Sequence, residues 1–289
     1  MGVEEFLPEL GPLRRGAVRL HPRRGEPGAH QSSVGGPLLW PEGEPWPLCT
    51  AEHEAWGSEP SAGPVPFVPV VQLFRSDAPD AGFPEGTDLL QVLWCPHDHE
   101  PALCPEPRVV WRETARIGAA AARRPVLDDA PAGSVPVPCV VHPEAVVEYP
   151  GWDDMGPAMA RGLWGRARRM EERTGWGYEE HLSTAPGIKL GGYASGAQGS
   201  VAMDCGACGG GMDLLLTVAS WEYDPASWKR WLPVEERTDA DGERGPFSIE
   251  DGLGAQGVAG LMLGDVGSVF VFECRRCPER PIGHAFVCS

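Results

Sequence analysis

Lysine is almost missing from this chain: Lys189 and Lys229 are the only two among 24 basic residues, and the remainder are arginine. Arginine suits bidentate pairing with carboxylates. A basic balance is missing as well. Against those 24 stand 41 carboxylates, for a formal net charge of -17, which argues against general nucleic-acid binding, where a basic face must overcome phosphate repulsion. Such charge ordinarily serves solubility, and the partner it would attract is a basic protein. No apolar run approaches the length needed to span a membrane. The opening MGVEEFLPEL is acidic where an export signal would be basic and then apolar. Phe6 stands where myristoylation of Gly2 requires Ser or Thr. The expectation is a cytoplasmic chain without membrane contact, whose nine cysteines are reduced thiols rather than disulfides.

Catalytic signatures are also sparse. Cys139 and His142 are close in sequence, but no third member of a catalytic set accompanies them, so a buried thiol and a turn histidine are expected. Gly252, Gly254 and Gly257 in DGLGAQG match a dinucleotide-binding pattern. No strand precedes it, and Gly260 and Gly264 would interrupt the helix that should follow, so no cofactor site is expected there.

What is present is glycine (38), proline (31) and tryptophan (11), a composition that predicts loop-rich, mainly β structure with some helix. The richest stretch runs from Gly187 to Ser220, where a double glycine, the pair Cys205 and Cys208, and the apolar LLLTVAS follow one another. A second pair, Cys274 and Cys277, ends the apolar run 267–273. Two such pairs are what tetrahedral zinc needs, because each tight turn presents two sulfurs to one ion and folding brings the turns together. With sulfur in all four positions the zinc would be structural, stabilising the fold by about 10–16 kcal/mol of apparent binding free energy.

The first half repeats this order. Gly35-Gly36, Cys49, PFVPVVQLF and DLLQVLWC parallel Gly191-Gly192, Cys205, LLLTVAS and SVFVFEC, and the step from the second glycine to the cysteine is thirteen in both. An internal duplication is the economical reading. Where the second half has Cys-x-x-Cys, the first has Cys49 with His53 and Cys95 with His99, a second candidate zinc set, with His97 and Cys104 as nearby substitutes.

Four segments are expected: a peripheral arm over 1–31 with a short helix near Val3 to Leu10, a β-rich half over 32–150, a bridging segment over 151–184, and a second β-rich half over 185–289. Within the first half, Pro69 predicts an edge position or a strand start for PFVPVVQLF, and RIGAAAARR reads as a short helix or a loop. Met159, Leu163, Ala167 and Met170 recur at helical spacing over 157–174 with Trp164 beside them. Arg161, Arg166, Arg168, Arg169 and Arg173 occupy the other face, where pairing with the chain's own carboxylates is the expected use. The polar run 234–245 reads as a surface loop. The fold class expected is therefore two pseudo-repeated β units, each closed by a zinc-ribbon-like site, bridged by one amphipathic helix.

The motifs SSVGGPLLWP, VPVVQLF with DLLQVLWC, and KLGGYASGAQ with the late strand resemble the YwqG-like family, a bacterial domain of unknown function. Ser33 stands where that pattern has Lys, and Gln198 is slightly displaced. The second half, with its double glycine, Cys205-x-x-Cys208 and VFEC, is also similar to the N-terminal part of the programmed cell death protein 2 family, whose association with escorting a ribosomal protein implies a protein partner by analogy. Two functions stand as expectations: a zinc-stabilised protein-binding module, or a metal-dependent hydrolase if the Cys/His set leaves a position open to water.

Overall fold

The computed structural model describes residues 2–51, 53, 63–127, 130–131, 133–196, 199–232, 254 and 256–288. The run 234–245, Gln198 and Gly252 lie outside them. The chain is mainly β. Its first half supplies β1 (Arg15–Arg19), β2 (Arg23–Arg24), β3 (Ser33–Val34), β4 (Leu38–Pro41), β5 (Leu48–Cys49), β6 (Val65–Pro66), β7 (Val68–Phe74), β8 (Leu89–His99), β9 (Cys104–Arg112), β10 (Ala120–Arg123), β11 (Cys139–Val140) and β12 (Glu144–Glu148). The second supplies β13 (Lys189–Gly191), β14 (Ser195–Gly196), β15 (Gly199–Ser200), β16 (Asp213–Ala219), β17 (Ser268–Glu273) and β18 (Ile282–Val287). Among the described residues the helices are α1 (Val3–Phe6), α2 (Pro157–Thr174) and α3 (Trp228–Trp231), with short 3-10 and π turns between.

Twelve of these strands make two six-stranded antiparallel sheets, ordered β12-β1-β13-β16-β17-β18 and β2-β11-β3-β7-β8-β9. In each, a short strand before a double glycine pairs with a seven-residue strand, which pairs with the next. Both long pairs carry an irregularity at the same place, between Leu214 and Leu216 in one and between Pro69 and Val71 in the other. Pro69, which has no N–H to give to a ladder, sits beside this bulge at the start of β7, the second of the two positions its residue type predicts. The sheets face each other across one core containing Val70, Val92 and Trp94 from one side and Leu190, Leu216 and Val271 from the other.

The double glycines have a steric cause. Gly35, Gly36, Gly191 and Gly192 all have φ between 67° and 76°, a region that L side chains avoid. A Cβ on Gly35 would lie 2.5 Å from the Val137 carbonyl oxygen, and one on Gly192 would lie 2.1 Å from Glu148 Oε2.

Three sequence expectations need correction. Residues 1–31 are not a peripheral arm throughout: β1 lies inside a sheet between β12 and β13, and Arg19 is fully buried. Composition hides this because Arg15 and Arg19 bracket a strand only three residues long between them. Ala120–Arg123 is neither helix nor loop but a strand paired with β4. On α2, Leu163, Ala167 and Met170 are buried, whereas Met159 and Trp164 are exposed, because α2 packs only one narrow stripe onto α1 and its neighbours. Arg166 does pair within the chain, bidentate to Glu9 at 2.6 and 2.7 Å. Among the described residues no helix is long and apolar enough to cross a membrane.

Candidate metal centres

Glycine-permitted turns build the four-cysteine cluster. After Cys205 the chain reverses through Gly209, at φ 68°, with Gly209 N–H donating to the Cys205 carbonyl at 2.8 Å and Cys205 N–H to the Gly210 carbonyl at 2.8 Å. Cys274 follows directly on β17, where its N–H donates to the Pro281 carbonyl at 2.9 Å and closes the turn into β18. The two turns converge. Cys205 Sγ lies 3.9 Å from Cys277 Sγ, and Cys208 Sγ 3.7 Å from Cys274 Sγ. Four sulfurs bound tetrahedrally at about 2.3 Å would be about 3.8 Å apart, whereas a disulfide would need about 2.05 Å.

Protonation in this cluster is uneven. Burial opposes ionisation of Cys274, but the N–H groups of Cys277 and Arg276, with the thiols of Cys205 and Cys208, outweigh it and bring this group down to about 7. Hydrogen bonds shared with Cys208 and Cys274 push Cys277 up to about 12. Converging amides on one sulfur are what a thiolate ligand requires.

The first half brings together the Cys/His set. Cys49 ends β5, and Cys95 lies in β8 just before the ladder with β9 skips from Cys95 to Asp98. His53 Nε2 sits 3.4 Å from Cys49 Sγ and 3.2 Å from Cys95 Sγ, and His99 Nε2 sits 3.9 Å from Cys49 Sγ. Sulfur and nitrogen on one tetrahedral ion would be about 3.6 Å apart. His99 turns its other nitrogen, Nδ1, toward Glu106 Oε2 at 3.4 Å, the outer carboxylate that orients a ligating imidazole. Burial lowers both His53 and His99, keeping them neutral as ligands must be, and burial pushes Cys95 up to about 12. In both sets the four ligand atoms all lie within 4.8 Å of one another. The two substitutes stay outside. His97 stacks on His53 with ring centroids 4.7 Å apart, and Cys104 is a buried thiol opposite His99.

A carboxylate network ties the four-cysteine turn to the other sheet. Glu273, buried immediately before Cys274, accepts from Trp111 Nε1 at 2.9 Å and pairs with Arg280 through both oxygens.

Sequence reasoning missed a buried ionic row on the β13 sheet. Lys189 Nζ donates to Glu148 Oε1 at 2.5 Å and to the Tyr193 carbonyl at 3.1 Å, while Arg19 donates to the carboxylate and carbonyl of Glu222 at 3.2 and 2.8 Å. All four side chains are buried. Burial lowers Lys189 and Arg19 and raises Glu222, the direction expected when water is withdrawn from a charge. The available signal was Lys189 itself, a rare lysine standing at a strand position.

Cys139 is a buried thiol pushed up to about 11 by burial, with its Sγ facing the Val258 carbonyl, consistent with a packing role. Fold and clusters together define a mainly β protein with two four-ligand Cys/His sets able to hold a metal ion. Comparison with protein-family models and with curated proteins finds no match.

Proposed function

We propose that both sets hold zinc and that the chain is a zinc-stabilised protein-binding module of the YwqG-like type. The observation that carries the proposal is the convergence of turns far apart in sequence onto two compact Cys/His sets, all ligand atoms of each within 4.8 Å. Thiolate and imidazole in tetrahedral spacing favour zinc over the oxygen-preferring cations. With four protein ligands per set no position is left for water, and a closed site contributes folding energy rather than a Lewis acid.

The shared connectivity, the bulges and the double glycines at matching places support an origin of the two sheets in duplication. Two strands cross between the halves: β1 and β12, from the first half of the chain, complete the second-half sheet, while β2 and β11 complete the first. The formal charge of -17 favours a basic protein partner, reached by steering rather than by any one contact. Native mass spectrometry of the purified protein tests the metal part, with two zinc ions per chain expected and none refuting it. Affinity capture under zinc-preserving conditions, read by partner stoichiometry, tests the binding part; recovery of no stoichiometric partner counts against it. Cobalt substitution separates this from a hydrolase, which requires an exchangeable water on one ion.

A further inference from the structure

The two sheets differ along one matching row of residues, and the difference at its central position, Gln72 against Thr217, leaves a cavity. In the first sheet, the row across the strands away from the core is Ser33, Gln72 and Gln91; in the second it is Lys189, Thr217 and Phe270. The two glutamines fill their space with one another. Gln91 Nε2 donates to Gln72 Oε1 at 2.9 Å and to the Leu39 carbonyl at 2.8 Å, and Gln72 Oε1 also accepts from Leu39 N–H at 2.8 Å. Gln72 Nε2 then reaches the carbonyls of Ala29 at 2.8 Å and Gln31 at 3.0 Å.

In the second sheet the matching places around Thr217 are Ala185, Gly187 and Ser195, which stand at the same distances from the double glycine as Ala29, Gln31 and Leu39. A threonine is too short to span them. A cavity of about 160 Å³ results, lined by Gly187, Lys189, Ser195, Thr217, Trp221 and Phe270 among others. Exposed Asp224 and half-buried Val266 also border it and give it access to solvent.

Two of its lining side chains hold polar atoms with no partner among the described residues: Thr217 Oγ1, on a residue 5% exposed, and Trp221 Nε1. A buried polar atom without a hydrogen bond is costly, on the order of 1–3 kcal/mol. An indole N–H can only donate, and a hydroxyl both donates and accepts.

We propose that this cavity binds a small neutral carboxamide, taking the place that the glutamine amides fill in the other sheet. Its carbonyl oxygen accepts from Trp221 Nε1, and Thr217 Oγ1 pairs with the amide. A carboxylate is disfavoured because the neighbouring charges, Lys189 with Glu148 and Arg19 with Glu222, are already paired, so an added anion would be buried without compensation. The amide has two sources: a free small molecule or a glutamine side chain of a peptide.

The test follows the Trp221 indole N–H by NMR in zinc-loaded full-length protein, assigned with Trp221→Phe. The probes are propionamide, propionate and acetyl-Gly-Gln-Gly-amide. Saturable shifts of that resonance with propionamide or the peptide, and none with propionate, are expected. A tighter response to the peptide assigns a glutamine side chain, and an equal one assigns a free amide. Thr217→Gln should abolish the response by filling the cavity, and Thr217→Val, which keeps the size and removes the hydroxyl, should weaken it by up to about tenfold. No saturable shift with either amide, an equal shift with propionate, or undiminished binding by Thr217→Val overturns the proposal.

Discussion

Cys205 and Cys277 are 72 residues apart in the chain, yet their sulfurs lie 3.9 Å from each other. Chain connectivity alone does not favour such an approach, because closing a loop of that length costs entropy that must be offset where the ends meet. The proposed shared ion would offset it.

Replacing Cys205 or Cys274 by Ser should therefore lower the metal content by one ion and destabilise the chain by about 3 kcal/mol or more, a fall in melting temperature on the order of 10 °C. Replacing Cys95 by Ser should remove the other ion alone. Native mass spectrometry combined with calorimetry checks both, with two ions expected in the wild type, one in each single variant and none in the Cys95/Cys274 double variant. Wild-type melting and metal content in Cys274→Ser would contradict the assignment, because that side chain is fully buried.

Spacing of sulfur and imidazole pointed to both Cys/His clusters, since metal-ligand chemistry demands residue types that few other roles favour. The long strands were equally visible: β7, β8, β16 and β17 are apolar runs bounded by turn residues. Pairing across distant segments was not visible. Sheet partners for β1 and β12 are decided by which edges remain open once the central strands have formed, and neither carries a periodic signature of its own. Two-residue strands such as β2 and β3 are set by the neighbours they join, so their residues look like loop. The buried pair of Lys189 with Glu148 was hidden for another reason: charged residues are read as exposed unless their partner is known.

Gly192 tests how tightly that ion pair is built. Its φ is 76° and a Cβ would sit 2.1 Å from Glu148 Oε2, the oxygen that accepts Tyr193 N–H at 2.8 Å. Gly192→Ala should push the carboxylate away from Lys189 and leave a buried ammonium unpaired, costing about 3–5 kcal/mol. Gly206→Ala, where an added Cβ meets no heavy atom within 4 Å, is the control. Urea denaturation of the two variants measures the difference, and equal midpoints would show that the pair tolerates displacement.

Arg112 connects the glutamine pair to the surface. Its Nε donates to Gln91 Oε1 at 2.8 Å, its two terminal nitrogens grip Glu44 at 2.8 Å each, and its guanidinium lies 4.5 Å from the Trp40 ring centre. The same grip holds Glu44 below the usual carboxylate range. Lysine can reproduce the charge but neither the fork nor the third hydrogen bond. Arg112→Lys should therefore cost about 1–3 kcal/mol, most of it from leaving Gln91 Oε1 without its donor. A variant within about 0.5 kcal/mol of wild type in urea denaturation would mean that water replaces the guanidinium at no cost.

His181 gives the fold a defined response to acid. Its Nδ1 accepts Gly177 N–H at 2.9 Å, so the ring is neutral with its proton on Nε2, and Nε2 is buried with no partner among the described residues. Burial lowers its affinity for a proton below the ordinary value of 6.5; nearby Lys229 acts in the same direction and Glu180 against it. The unfolded chain takes up a proton first as pH falls, so stability is undiminished above about 6.5 and is lost below it. By about pH 5.5 the loss reaches up to about 1.4 kcal/mol. His181→Asn keeps an oxygen acceptor for Gly177 but cannot titrate. Denaturation of both proteins at about pH 7.5 and about pH 5.5 should show a smaller acid loss in the variant. Metal release weakens both alike, so the difference between them isolates the imidazole, and identical losses would rule out its part in the acid response.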